Sequence, residues 1–162
     1  LGTPVIYYGD EFGKLNDEKF YHEQIKLTGK DDTRFLVRGR IDWNTLENDL
    51  KQPDNFHTRV YNLISTMLNT RKDYPSFGRG SLNFVDIQKS TGESTSKALA
   101  YLREYNDEII LVIVNLSSKK LVISHPMDDH DLAVLFLNGF FMNDQEGTMI
   151  FEPHGIAWFL VI

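Results

Sequence analysis

The sequence predicts a mainly-β protein whose second half forms an antiparallel β-sandwich. From residue 81 onward, short segments rich in β-branched and aromatic residues recur at regular spacing, with turn residues between them. Asn106-Asp107 and Asn138-Gly139 favour tight hairpin turns, in which positive φ angles are needed. Before Pro75 the pattern differs, and it indicates one strand, a long polar loop and a helix.

We expect seven or eight strands in the second half. They cover residues 82–88, 98–105, 108–116, 120–124, 132–137, 140–143, 148–152 and 155–162. Residues 89–97 form a Ser/Thr/Gly loop between the first two strands.

The first half begins with an apolar segment at residues 5–8. Both of its faces are apolar, which is typical of a parallel strand that is covered on both sides. Two carboxylates, Asp10 and Glu11, follow it directly. Residues 14–32 show no stable hydrophobic period, so we expect a long loop there, and loops of that length are usually functional or disordered.

One long helix is expected over residues 55–73. An apolar stripe at helical spacing predicts it, and the stripe consists of Val60, Leu63, Ile64, Met67 and Leu68. Pro75 prevents the helix from continuing. A shorter helix is expected over residues 43–50.

Composition excludes several classes of function. The net charge of −6 and the scattered basic residues argue against a nucleic-acid partner. No apolar run approaches the ~18 residues that span a bilayer, so we expect no membrane partner. The chain has no cysteine, which excludes disulfides and thiolate metal sites and is typical of a reducing compartment such as the cytoplasm. No metal-ligand spacing is present, and we expect no metal or cofactor.

Four stretches resemble parts of glycoside hydrolase family 13, the α-amylase family. GTPVIYYGDE at residues 2–11 resembles the motif of its eighth barrel strand. DDTRFLVRGRIDW at residues 31–43 resembles the Asp-Ser-Arg-Trp-Val-His-Arg segment of its amylosucrase-like subgroup. RKDYP at residues 71–75 is similar to the end of the last barrel helix, and LVIVNLS at residues 111–117 to the C-terminal sandwich.

The resemblance implies a division of the chain. Residues 1–76 would be the last strand, active-site loop and last helix of a (β/α)8 barrel, and residues 77–162 the C-terminal β-sandwich. The catalytic carboxylates of this family follow earlier barrel strands, so we expect them upstream of Leu1 and none in this chain. The parent enzyme would act on sucrose or an α-glucan through that barrel, and this chain would be inactive alone.

The resemblance also implies three substrate-binding residues. Arg34 matches an arginine that pairs with an acidic residue and closes the glucose pocket, and Arg38 matches a position on the acceptor side. Asp10 either contacts substrate or shapes the turn after the strand. Val37 stands where the subgroup has histidine, which leaves open whether the parent is a sucrose-using transglucosidase or a hydrolase.

Two other functions remain open for this chain. The chain could be a non-catalytic carbohydrate-binding β-sandwich, or it could belong to a degenerate family member without the catalytic residues. The first needs exposed aromatic rings, although we expect core positions for Phe84, Phe136, Phe140, Phe141, Phe151, Trp158 and Phe159. The unpartnered strand and helix stripe favour a homodimer or repacking onto the sandwich.

Overall fold

The computed structural model describes residues 4–127, 130–143 and 147–162. The chain forms two compact units, residues 4–66 and residues 67–162, and the division falls inside one long helix. The domain boundary after residue 76 that the family resemblance implies stays a prediction. Among the described residues, no helix combines the length and the apolar character that a membrane span requires.

Residues 4–66 contain short helices joined by turns. In chain order they are a 3₁₀ turn at Asp10–Phe12, α1 (Glu18–Thr28), a second 3₁₀ turn at Thr33–Val37, α2 (Trp43–Asp49) and the first part of α3 (Phe56–Asp73). The expected helices over residues 43–50 and 55–73 are therefore confirmed. Asp42 caps α2 by accepting from the Thr45 backbone at 3.2 Å, and Asn55 accepts from the His57 backbone at 2.9 Å.

The prediction of a strand at residues 5–8 is wrong for this chain. Those residues have no strand pairing, and Val5 is 88% exposed. A parallel strand forms only through hydrogen bonds to neighbours, and residues 4–66, all of which the structure describes, contain no other strand. Gly2 and Thr3 of the same segment lie outside the described residues.

The prediction of a continuous loop over residues 14–32 is also wrong, because α1 occupies its middle. Asp17 caps the helix by accepting from the Phe20 backbone at 2.9 Å. At the other end Gly29 takes a φ of 68° and donates its N–H to Ile25 O at 2.8 Å. No residue of α1 is buried, which explains why the sequence shows no apolar stripe there.

Residues 67–162 form an antiparallel sheet after the end of α3 and a short α4 (Ser76–Arg79). The strands are β1 (Ser81–Phe84), β2 (Ala98–Tyr105), β3 (Glu108–Asn115), β4 (Leu121–Ser124), β5 (Leu132–Asn143) and β6 (Thr148–Val161). Their order is β1-β2-β3-β6-β4, and β5 also pairs with β6. The turn at Asn106-Asp107 is confirmed, since Tyr105 faces Glu108 across it.

The expected hairpin at Asn138-Gly139 is wrong. β5 continues through these residues, and its pairing with β6 runs from Leu132↔Val161 to Asn143↔Thr148. The register shifts between Asn138 and Phe140, and Gly139 has a φ of 61°. The dipeptide therefore makes a bulge instead of a reversal. β6 likewise joins the two segments that the sequence separates at residues 153–154.

One core fills the interior of the sheet unit. Fully buried side chains come from both halves of β6, Met149 and Phe151 before its irregular middle and Ala157 and Phe159 after it. The prediction of a mainly-β, antiparallel domain is thus confirmed.

The sandwich aromatics divide into two groups. Phe136, Phe151, Trp158 and Phe159 are buried, and Phe140 packs against the core. The expected core positions of Phe84 and Phe141 are wrong, since these residues are 69% and 57% exposed, on strands β1 and β5.

Candidate functional site

A tight turn at residues 9–13 begins the candidate site. Gly9 and Gly13 flank it with φ angles of 96° and 69°. Asp10 Oδ2 accepts from the Tyr7 backbone at 3.1 Å, and Glu11 Oε2 accepts from the Gly9 backbone at 2.7 Å. Both carboxylates therefore shape the turn. Asp10 is exposed, and its contact with substrate stays a prediction.

Residues on either side of this turn hold the segment at residues 36–39. Asp17 donates its backbone N–H to Leu36 O at 2.7 Å, and the Tyr8 hydroxyl donates to Gly39 O. The approach at Gly39 is so close that a Cβ there would lie 2.2 Å from Asp17 Oδ2. Only glycine fits, so the segment that follows Arg34 has a fixed position within residues 4–66.

Arg34 is paired with Asp32. Its Nε lies 2.8 Å from Asp32 Oδ1 and its Nη2 lies 2.6 Å from Asp32 Oδ2. These hydrogen bonds lower the pKa of Asp32 to about 2, and they raise the pKa of Arg34. The Arg34 side chain is 69% exposed, so the guanidinium is open to a further partner.

Arg38 ends the second 3₁₀ turn, where its backbone N–H donates to Phe35 O at 3.3 Å. Its side chain is exposed, and its charge also lowers the pKa of Asp32. Asp10 and Val37 line one small pocket beside this segment. The structure thus brings Asp10 beside Val37, the residue before Arg38, while Arg34 and Arg38 are not among the lining residues of this pocket. A shared substrate site of Arg34, Arg38 and Asp10 stays a prediction.

A pocket of about 280 Å³ lies next to the turn, and no motif in the sequence predicts it. Its polar lining consists of Lys14, Arg40, Asp42, Thr45, Asp49 and His57, and Phe12 and Leu46 belong to its apolar lining. Charged and hydroxyl groups around an apolar floor suit a polar ligand that also has apolar faces.

His57 has a defined orientation in this pocket. Its Nδ1 lies 2.7 Å from Phe12 O, and since a carbonyl only accepts, Nδ1 carries the proton. Its Nε2 lies 3.8 Å from Asp49 Oδ2. The backbone of Asp49 is held in turn, because the Thr58 hydroxyl donates a hydrogen bond to the Asp49 backbone carbonyl at 2.8 Å. No periodicity relates these residues in the sequence, so only the folded chain identifies them.

No group of three or more His, Asp or Glu side chains in the part of the chain that the structure describes could hold a metal ion. The chemistry of the unit is that of guanidinium, carboxylate and imidazole groups, which bind hydroxyls and carboxylates.

Comparisons with known proteins agree on one family. Residues 91–158 match the family model of the maltogenic amylase C-terminal domain. A trehalose synthase of Thermus thermophilus is 28% identical over 181 residues, which cover 98% of this chain and 18% of that protein. A cyclomaltodextrinase of a Bacillus species is 28% identical over 115 residues, covering 71% of this chain and 16% of that protein.

A solved structure resembles the whole chain. The crystal structure of the trehalose-6-phosphate hydrolase of Bacillus licheniformis matches with a TM-score of 0.63 at 19% identity, and the match covers 99% of this chain and 36% of that one. This likeness concerns the fold alone. The chain spans less than a fifth of the length of the two sequence relatives described above.

Proposed function

Since this chain corresponds to the C-terminal part of an enzyme of glycoside hydrolase family 13, the α-amylase family, we propose that it borders the sugar pocket of an enzyme acting on α-glucosidic bonds. One observation carries the proposal. Arg34 is oriented by Asp32 just before residues 36–39, which hydrogen bonds from Tyr8 and Asp17 hold in place, and it remains exposed.

The physical role of Arg34 follows from its geometry. A guanidinium can bind two carboxylates at once through its separate N–H groups, and Asp32 engages Nε and Nη2. A second acidic residue, from the barrel of the parent enzyme, would complete the arrangement that the family resemblance implies. Arg38 and Asp10 would lie beside the same pocket.

Catalysis itself would belong to the rest of the enzyme. Retaining glycosidases need two carboxyl groups about 5–5.5 Å apart. Asp10 and Glu11 serve the backbone of their turn instead, since each accepts a main-chain N–H. We therefore propose that the isolated chain has no glycosidase activity. Purified chain that released glucose or fructose from sucrose or maltooligosaccharides would contradict it.

The finer specificity is also a proposal. The segment from Asp32 to Arg38 supports an amylosucrase-like parent that uses sucrose or an α-glucan, although Val37 departs from that pattern. The relatives found by comparison bear other names, trehalose synthase and cyclomaltodextrinase. A substrate survey of the full-length enzyme with sucrose, maltose, trehalose and maltooligosaccharides would decide between these sugars.

The decisive experiment replaces Arg34 in the full-length enzyme. Arg34→Ala should lower kcat/KM about a hundredfold or more, because a preorganised cation at the pocket is lost. Arg34→Lys should restore little, since an ammonium lacks the planar fork. Lys30→Ala, at an exposed position shortly before the turn, is the matched control and should change nothing. Equal activity of Arg34→Ala and the control would refute the role of Arg34.

Most of the aromatics proposed for a carbohydrate-binding β-sandwich give that alternative no support, and of the seven only Phe84 and Phe141 are mainly exposed. Phe151 and Phe159 are at most 1% exposed, and Trp158 is 8% exposed. These rings are unavailable to a sugar without unfolding of the core.

A further inference from the structure

A buried arginine on strand β2 has no carboxylate partner in the described part of the chain. Arg103 is 6% exposed, and it forms no ion pair with any carboxylate among the described residues. Its Nε donates to the Ser76 backbone carbonyl at 3.1 Å, which fixes the side chain. A buried cation without a counter-ion is costly, because the charge has lost its hydration. The Nη groups of Arg103 therefore favour the binding of an anion.

These Nη groups are accessible to solvent. Among the described residues, Thr148 Oγ1 is the one side-chain polar atom that is both sealed from solvent and without a hydrogen-bond partner. The Arg103 Nη atoms make no hydrogen bond to the described part of the chain, so they are not sealed. Glu108, which faces Tyr105 two residues further along β2, accepts from the Ser76 backbone N–H at 2.8 Å instead. A small anion can therefore reach the Arg103 charge.

A second arginine lies near the same side of the sheet. Arg71, in the last turn of α3, is half-buried, and its guanidinium carbon lies 6.0 Å from the centre of the Phe77 ring. Phe77 packs in turn on Trp158, with ring centres 4.7 Å apart. Within the described ranges, Arg71 also forms no ion pair with a carboxylate. Its charge therefore lies beside the face of the sheet that carries Trp158.

Tyr101 lies between these two charges. Tyr101 and Trp158 both pair with Val112, one on each side, so their rings project from the same face of the sheet. Arg103 follows Tyr101 by two residues on β2 and projects from that face as well. Burial raises the pKa of Tyr101, whereas the charges of Arg103 and Arg71 act to lower it. The two guanidinium groups and the hydroxyl thus form one cluster of hydrogen-bond donors.

The chemistry of this cluster suits a phosphate group. Guanidinium groups present planar forks of N–H donors that match phosphate oxygens, and a tyrosine hydroxyl adds one further donor. Two positive charges balance a dianion, whereas a single carboxylate would leave one of them without a counter-charge. A neutral ligand would leave both charges uncompensated.

We propose that Arg71, Tyr101 and Arg103 form a binding site for a phosphate group, carried either by free inorganic phosphate or by a phosphomonoester. The site lies wholly within residues 67–162 and uses no residue of the Arg34 segment, so it is independent of the proposed function. A bound phosphate would join the end of α3 to strand β2 and stabilise the folded chain by mass action.

Calorimetric titration of the chain with inorganic phosphate tests the proposal. We expect a dissociation constant in the millimolar range or below, weakened about tenfold or more by Arg71→Ala and partly retained by Arg71→Lys, which keeps the charge. Lys72→Ala removes the neighbouring exposed cation and is the matched control, with no expected change. Tyr101→Phe removes one hydroxyl and should weaken binding severalfold. Unchanged binding by Arg71→Ala would overturn the site.

Thermal unfolding provides a second test that needs no variant. Phosphate should raise the melting temperature of the chain, whereas acetate at the same ionic strength should not. Titration with glycerol 3-phosphate distinguishes the two sources of the group: tighter binding than that of inorganic phosphate identifies a phosphomonoester, and equal or weaker binding identifies the free ion. An absence of heat with both compounds, or equal stabilisation by acetate, would overturn the proposal.

Discussion

The guanidinium of Arg34 engages both carboxylate oxygens of Asp32, at distances of 2.6–2.9 Å. Asp32 also caps the 3₁₀ turn that carries Arg34, since its Oδ1 accepts from the Arg34 backbone N–H at 3.0 Å. One carboxylate thus starts the turn and orients the side chain. Any partner of Arg34 would meet a guanidinium whose direction is already set.

The first prediction concerns the pH dependence of this pair. Hydrogen bonds from Arg34 lower the pKa of Asp32 from 3.8 to about 2. Because the folded pKa is the lower one, the pair stabilises the turn above pH 3.8, and this stabilisation is lost as the pH falls through about 2. In NMR titrations the Asp32 carboxyl carbon should show a midpoint near the lower value. Arg34→Ala should raise the midpoint toward 3.8, whereas Arg59→Ala should not; an ordinary midpoint in the unmodified chain would refute the pairing in solution.

A second prediction concerns Glu108, which accepts from the buried Ser76 backbone. Glu108→Ala leaves that N–H without a partner and should lower the free energy of unfolding by about 1–3 kcal/mol. Glu108→Gln keeps an acceptor oxygen and should cost less. Urea denaturation measures both changes. Glu93→Ala removes an exposed carboxylate and should be neutral. A Glu108→Ala chain as stable as the Glu93→Ala chain would show that the network contributes nothing.

The third prediction concerns Gly155, where β6 passes close to β5. A Cβ at this position would lie 2.3 Å from Gly139 O and 3.0 Å from Glu152 O, and both are backbone atoms. Gly155→Ala should therefore force the strands apart and destabilise the sheet by about 1–3 kcal/mol. Gly78→Ala is the control, because nothing lies within 4 Å of its Cβ position. Thermal unfolding should give a lower melting temperature for Gly155→Ala than for Gly78→Ala. Equal melting temperatures of the two variants would argue against the close approach of Gly155 to Gly139.

A fourth prediction concerns association of the isolated chain. Val5 is 88% exposed and Ile6 is 41% exposed, in a segment whose backbone has no strand partner within residues 4–66. Exposed apolar segments of this kind favour pairing with a second copy. Sedimentation velocity should show a concentration-dependent dimer, weakened by Val5→Lys together with Ile6→Lys. Lys51→Ala is the control at an exposed polar position. A monomer at every concentration would contradict the prediction.

Most of the sheet could be predicted from the sequence, because strand patterning and turn residues are local signals. Predicted residues 98–105 coincide with β2, and residues 108–116 differ from β3 by one residue. The prediction fails where one sequence signal is compatible with two backbone geometries. Asn138-Gly139 supplies the positive φ of a bulge as readily as that of a hairpin, and only the register with β6 distinguishes them.

The first half was less predictable, for two physical reasons. α1 buries no residue, so its evidence lies in the cap residues Asp17 and Gly29 and not in an apolar stripe. The apolar residues 5–8 indicate a strand, but strand formation depends on partners that the sequence of this segment does not contain. Family resemblance predicts roles for Arg34 and Arg38 that stay predictions, whereas the pocket containing His57 and Asp49 depends on contacts between distant segments.

The central place of β6 constrains the order in which the sheet unit can assemble. β3, β4 and β5 all pair with β6, and β6 follows each of them along the chain. On the ribosome, the edges of these strands that pair with β6 stay unpaired until β6 has been synthesised, although β3 can already pair with β2. Non-local pairing of this kind slows folding and leaves apolar strands open to misassociation in the meantime. A nascent chain that stalls before β6 would therefore be a natural client for chaperones, because the sheet can be completed only after its last strand has been made.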